Sequence, residues 1–212
     1  MKQWIHGDTG HFDRWSATYD RSLLQRLLFD RVHRHVCAAL LEGRVPATVV
    51  DVGCGTGRLL EMIRRRLPDA ELVGVDSSEG MVSVARSRFA GVRGVRIEAG
   101  SARHLPLEGG SADVVTTTLS FHHWDEHGDS LREVVRVLRP GGRLLLADVL
   151  GIGLFGRLVH RLGHRDSSAF RDAGELSSLL AGAGFASWRR RRILGPGIPV
   201  FLVEARVGRL DA

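Results

Sequence analysis

Short apolar, β-branched runs alternate with segments of helical spacing through the middle of the chain, and this alternation most limits how it can fold. The runs are "TVVDVG" (48–53), "ELVGVD" (71–76), "VRIEA" (95–99), "ADVVTTT" (112–118) and "RLLLADV" (143–149). Between them lie "RLLEMIRRRL" (58–67), "SEGMVSVARSRF" (78–89) and "DSLREVVRVL" (129–138). Strand and helix in strict alternation predict a parallel sheet with helices on both faces. Near-continuous apolar strands fit a sheet buried on both sides. The punctuation agrees: "RPGG" (139–142) ends one helix and returns the chain to a strand, and "LEGGSA" (107–112) makes a turn before another. Arg64, Arg65 and Arg66 fall on the last turn of their helix, where cations suit the negative end of the dipole.

The C-terminal part has a different texture. "RDAGELSSLLAGAGF" (171–185) reads as a helix ended by Gly182 and Gly184. "ASWRRRRIL" (186–194) and "PVFLVEARV" (199–207) read as strands whose short turn allows only antiparallel pairing. Alternation places Trp188, Arg190 and Arg192 on one face and Arg189, Arg191 and Ile193 on the other. Such a strand suits a solvated sheet edge, with a nucleic-acid patch as the alternative. Two segments lie outside the alternating core: an amphipathic helix over 21–41, and an insertion over 150–170 that mixes apolar residues with arginines.

At 212 residues the chain fits one well-buried domain. The net charge is +6, but of the 30 Lys and Arg residues only Lys2 is a lysine, a bias typical of a genome more than of a binding site. Basicity alone therefore selects no partner. Cys37 and Cys54 offer no disulfide framework, and the ten histidines are scattered, so no metal is expected. No apolar run reaches the length of a membrane span, and the first residues lack the apolar stretch of a signal peptide; the expected location is the cytoplasm.

The junction "VVDVGCGTGRLL" (49–60) carries the chemistry. A dinucleotide fold needs G-x-G-x-x-G, and here Arg58 stands where its third glycine would be. A P-loop needs G-K-[ST], and the only lysine is at position 2. Asp51, just before the turn, would repel a phosphate and welcome a cation. Asp76 ends the second strand, where an acid can accept bonds from both hydroxyls of a ribose; ligands of open α/β sheets lie at such strand ends. S-adenosylmethionine, with its amine, carboxylate, sulfonium and ribose, matches this inventory.

The chain resembles the class I S-adenosylmethionine-dependent methyltransferases, in particular the type 11 or UbiE-like group acting on small molecules. The resemblance runs from "HFDRWSATYD" (11–20) to "FLVEARV" (201–207), with "DVGCGTG", "VGVDSSEGM" and "LREVVRVLRPGGRLLLADV" in the family's order and spacing. It implies a Rossmann-like α/β fold: a seven-stranded, mostly parallel sheet in order 3-2-1-4-5-7-6 with the last strand antiparallel. It implies one methyltransferase domain over 1–212, in which 1–43 form a lid and 150–170 cap the acceptor pocket. Gly53, Gly55 and Gly57 would pass beneath the methionine part of the cofactor, with Asp51 near its amine. Asp76 would hold the ribose. Ser77 and Met81 would border the adenine, and the amide of Ala102 would reach its ring. Ser101 stands where the family usually has an Asp, and is a weaker acceptor for the adenine amine. Tyr19 matches the lid's "YD" motif. Leu119 in "TTLSFHHW" (117–124) would also line the cofactor site, at the strand end where methyl donor and acceptor meet. His123 is a candidate general base, or alternatively a packing residue.

The resemblance thus implies methyl transfer to O, N or C of a small molecule, an apolar acceptor among the candidates. "TLSFHH" lacks the Pro-Pro-aromatic motif of amino-methylating DNA enzymes, and neither cysteine follows a proline as cytosine C5 enzymes require, which disfavours nucleic acid as substrate. The UbiE enzymes proper carry a Gly-x-Arg-Asn-like stretch in this place. A partner subunit that binds the cofactor without catalysis is one alternative. A basic, membrane-surface insertion delivering a lipid-like or quinone-like acceptor is another.

Overall fold

The computed structural model describes residues 23–150, 173–195 and 199–209. The "YD" motif with Tyr19, and almost all of the insertion, lie outside the described residues. Helix α1 (Leu23–Leu40) precedes β1 (Thr48–Val52), α2 (Arg58–Arg64), β2 (Glu71–Asp76), α3 (Glu79–Arg88), β3 (Val95–Ala99) and β4 (Ala112–Thr118). A single 3-10 turn (Phe121–His123) leads into α4 (His127–Val137), then β5 (Leu138–Val149), α5 (Ala173–Ala183), β6 (Phe185–Arg192) and β7 (Val200–Val207).

The seven strands form one sheet in the order β3-β2-β1-β4-β5-β7-β6, as the resemblance implies. The first five pair in parallel, and β7 runs antiparallel to both β5 and β6. One face is covered by α1, α2 and α3 through residues such as Val36, Leu60 and Val82. The other is covered by α4 and α5 through Leu131, Val134, Leu176 and Leu180. Central strands covered on both sides explain their near-continuous apolar runs: four of the five β1 residues are buried. Among the described residues no helix is long and apolar enough to cross a membrane.

The "RPGG" segment differs from its sequence reading. It lies inside β5, which starts at Leu138, and its register with β4 slips between Ala112 and Val114. The residue before a proline is confined to extended backbone, so pairing begins before Pro140. Gly141 then takes φ 76°, and Arg139 anchors the bulge by bonding the Asp113 carboxylate at 2.8 Å.

The arginines divide as alternation requires. Strand β6 is an edge. Arg190 and Arg192 lie over the Phe201 ring on one face. On the other, Arg189 bonds the buried Glu204 at 2.8 Å and also Glu42. Arg64 closes the α2 C-terminus by donating to the carbonyls of Leu67, Ala70 and Gly94. The buried Arg143 donates to the carbonyls of Ala39 and Leu40, fixing the end of α1 to the sheet.

Candidate active site

All three glycines of the turn after β1 have left-handed backbone: Gly53 at φ 72°, Gly55 at 52° and Gly57 at 81°. A side chain at any of them would be strained. Their surroundings differ. A Cβ on Gly53 would fall 1.9 Å from the Ser120 hydroxyl, and one on Gly57 would fall 2.7 Å from the Phe89 ring. A Cβ on Gly55 would meet nothing within 4 Å. Gly53 and Gly57 therefore serve close packing within the protein, and Gly55 presents bare backbone to open space.

The turn is tied to the end of β2. Gly53 and Cys54 both donate to the Val75 carbonyl, at 2.8 and 3.1 Å. Gly55 donates to Asp76 Oδ2 at 2.8 Å, and Ser78 donates to Asp76 Oδ1 at 2.9 Å. These two bonds place one amide on each oxygen of the Asp76 carboxylate. Ser78 in turn caps α3, accepting from the Met81 amide at 3.2 Å.

Asp51 faces inward. It is 1% exposed and accepts from the Thr116 hydroxyl at 2.8 Å. Burial pushes its carboxyl up to about 7; the Thr116 bond opposes this rise, and the Asp76 charge adds to it. Two acids thus belong to this end of the sheet, Asp51 buried in β1 and Asp76 bonded to the Gly55 amide. The chemistry of this set fits S-adenosylmethionine, whose ammonium Asp51 would face, whose methionine tail Gly55 would border and whose ribose Asp76 would hold.

The remaining expected residues follow the carboxyl ends of β2, β3 and β4. Ser77 is exposed beside Asp76, and Met81 is buried at the start of α3. Ala102 is half-buried, and Ser101 is exposed, forming a short bridge to His104. Leu119 has φ 50°, rare for a non-glycine residue, as the chain leaves β4. The next residue, Ser120, meets Gly53 and accepts from the Trp124 indole at 3.3 Å. Trp124 is buried and packs edge-on against Phe121, as wall rather than chemistry.

The histidine expected as a base is His123. Beside it, His122 Nδ1 lies 2.8 Å from Asp148 Oδ1, and the His122 amide donates to Oδ2 at 3.1 Å. His123 is exposed, its ring 4.0 Å from that of His122. Sequence reading also missed His33 of α1, which is buried against the Thr118 hydroxyl at 3.3 Å. Burial, with the nearby Arg58 charge, lowers its pKa to about 4. The helix is further tied to the site by Arg58, the first residue of α2, which pairs with Asp30 at 2.6 Å.

With this geometry in view, comparison with known proteins decides the family. The protein-family model described as "Methyltransferase domain" matches residues 50–146. The malonyl-[acyl-carrier protein] O-methyltransferase of Geobacter sulfurreducens is 31% identical over 187 residues, covering 83% of this chain and 68% of that protein. The chain belongs to the class I methyltransferases, type 11 group. Its family's cofactor is S-adenosylmethionine. The enzyme of the same name from Dechloromonas aromatica is 34% identical over 183 residues, 83% of this chain and 64% of that protein, so the chain spans under two thirds of its length. A methyltransferase structure from Thermotoga maritima, described as a possible histamine N-methyltransferase, superposes with a TM-score of 0.70 at 26% identity, covering 95% of this chain and all of that one.

Proposed function

We propose that this chain transfers a methyl group from S-adenosylmethionine to a nucleophilic atom of a small molecule. The observation that carries this reading is the open backbone of Gly55, whose amide bonds the Asp76 carboxylate, on the turn that follows the buried Asp51 of β1. When bound there, the cofactor would supply an electrophilic methyl group. The protein's part is to hold the two reactants in line, and such positioning can supply on the order of 7–11 kcal/mol of a barrier.

The acceptor would enter at the ends of β4 and β5, where Leu119, Ser120 and His122 follow the strand. The names of those relatives give a malonyl group on a carrier protein as one acceptor and histamine as a possible one, which brackets oxygen and nitrogen nucleophiles as candidates. Absence of the nucleic-acid motifs after β4 supports a small acceptor. The test is a thermal shift with S-adenosylmethionine, then transfer of labelled methyl into small-molecule extracts with mass analysis of the product. A flat melting curve at millimolar ligand sinks the reading.

A further inference from the structure

We propose, resting on the methyl-transfer reading above, that His122 oriented by Asp148 is the base that takes a proton from the acceptor, so that the acceptor is a phenol, alcohol or amine rather than a carboxylate. His122 would be a catalytic residue, and Asp148 a positioning residue acting through it.

The two residues meet because β4 and β5 are neighbours in register, Thr118 opposite Ala147. Asp148 is the next residue of β5, and His122 lies in the 3-10 turn just past β4. Asp148 is 1% exposed and accepts three bonds: from the His122 amide at 3.1 Å, from the Val149 amide at 2.7 Å and from the His122 ring at 2.8 Å. A chelated backbone and ring leave the imidazole little freedom to turn. A carboxylate in this position takes the Nδ1 proton as its hydrogen-bond donor, which leaves the lone pair on Nε2.

A structural role alone accounts poorly for the pair. Burying a carboxylate is costly unless a charge compensates it. The chain holds 30 arginines and lysines, yet among the described residues no ion pair joins any of them to Asp148, whose ring partner is His122. Location points the same way. Ser120, two residues before His122, is the residue that packs on Gly53 of the cofactor turn. The His122 side chain is 17% exposed, enough to be reached from outside.

In the step this arrangement performs, the acceptor's X–H bond breaks and its proton moves to His122 Nε2. The freed electron pair forms the X–CH3 bond while the carbon–sulfur bond of the donor breaks, its pair remaining on sulfur. Asp148 balances the positive charge that develops on the imidazole. A carboxylate acceptor is already deprotonated at neutral pH and would leave this base idle.

The experiment compares wild type, His122→Gln and Asp148→Asn. A thermal shift with S-adenosylmethionine comes first, and should be alike in all three proteins. Nitrogen-15 NMR of the histidine rings should show His122 as the Nδ1–H tautomer in wild type at pH 8, and a mixed tautomer in Asp148→Asn. Labelled methyl transfer is then measured from pH 6 to 9.5 with a catechol, a primary alcohol, a primary amine, imidazole and a fatty carboxylate. Transfer should occur to a proton-bearing acceptor, and His122→Gln should lower kcat by about 10²–10⁴-fold at pH 7 with KM for the cofactor unchanged. The loss should shrink as pH approaches the acceptor's own pKa. An Nε2–H tautomer in wild type, equal rates in His122→Gln, transfer to the carboxylate alone, or cofactor binding with no transfer to any proton-bearing acceptor would each overturn the proposal. No cofactor binding by wild type would instead overturn the methyl-transfer reading.

Discussion

The Asp76 carboxylate accepts the Gly55 amide at 2.8 Å, so the acid that ends β2 also shapes the glycine turn that ends β1. The same carboxylate takes the Ser78 amide at 2.9 Å at the start of α3. One side chain thus joins both halves of the expected cofactor site. Asp76→Ala should weaken S-adenosylmethionine binding by about 1.5–3 kcal/mol, the scale of hydrogen bonds to a charged group. It should also lower stability to urea, because two amides lose their acceptor. Calorimetric titration and urea unfolding of the same sample separate the two effects; an unchanged affinity would mean that the ribose lies elsewhere.

A Cβ would meet close neighbours at the two outer glycines of the turn and none at the middle one. Gly53→Ala places a methyl group 1.9 Å from the Ser120 hydroxyl at φ 72°, and should destabilise the fold by roughly 2–4 kcal/mol through overpacking and backbone strain together. Gly55→Ala meets no atom within 4 Å and should cost only the strain of its φ, about 1–2 kcal/mol. Binding should show the opposite order, with Gly55→Ala losing most of the affinity for S-adenosylmethionine. Urea midpoints and binding isotherms for both variants would check this crossover. Equal losses in both measurements would remove the division of labour.

These assignments mark what the sequence made legible. Strand runs and the glycine spacing are local patterns, and every strand but β5 falls within two residues of where its texture placed it. The extension of β5 through Arg139–Gly142 escaped because a proline and two glycines look like a loop, whereas here they form a bulge at the start of a paired strand. His122 and Asp148 are 26 residues apart and meet only through the register of β4 against β5. Nothing local in "SFHHW" distinguishes His122 from His123. The one available signal was an acid at the end of "LLLADV", the same end of the sheet. His33 escaped for a similar reason: its environment depends on how α1 docks onto the end of β4.

Asp51 should make cofactor binding depend on pH. In the free protein its carboxyl is pushed up to about 7, above the unperturbed 3.8, so the folded state holds this proton more tightly than the unfolded chain. The resulting stabilisation is complete below pH 3.8 and is lost as pH rises through about 7. A bound ammonium favours the ionised form and expels the proton. Affinity for S-adenosylmethionine should therefore rise about tenfold from pH 5.5 to 7, below the range near 7.7–8.0 where an α-amine loses its own proton. Calorimetry in buffers of different ionisation enthalpy should detect release of up to about one proton per site at pH 6. Asp51→Asn should bind weakly with no such rise; a rise of equal size in that variant would assign the proton to another group.

His33 sets the acid limit of the docked helix. Its ring is 5% exposed, with Nδ1 buried and unpartnered among the described residues, and its pKa is lowered from 6.5 to about 4. The folded state therefore disfavours the proton that the unfolded chain accepts. The stabilisation is present above pH 6.5 and is lost as pH falls through about 4. Asp51 acts in the opposite sense over much of this range, so the informative quantity is the difference between wild type and His33→Leu. At pH 7 the variant should stay within about 1 kcal/mol of wild type, since losing the Thr118 bond is offset by removing a buried unpaired nitrogen. From pH 7 to 4.5 wild type should lose more stability than His33→Leu, the difference approaching one proton in slope. Urea unfolding at five pH values would measure it, and parallel curves for the two proteins would show that α1 does not hold this histidine neutral.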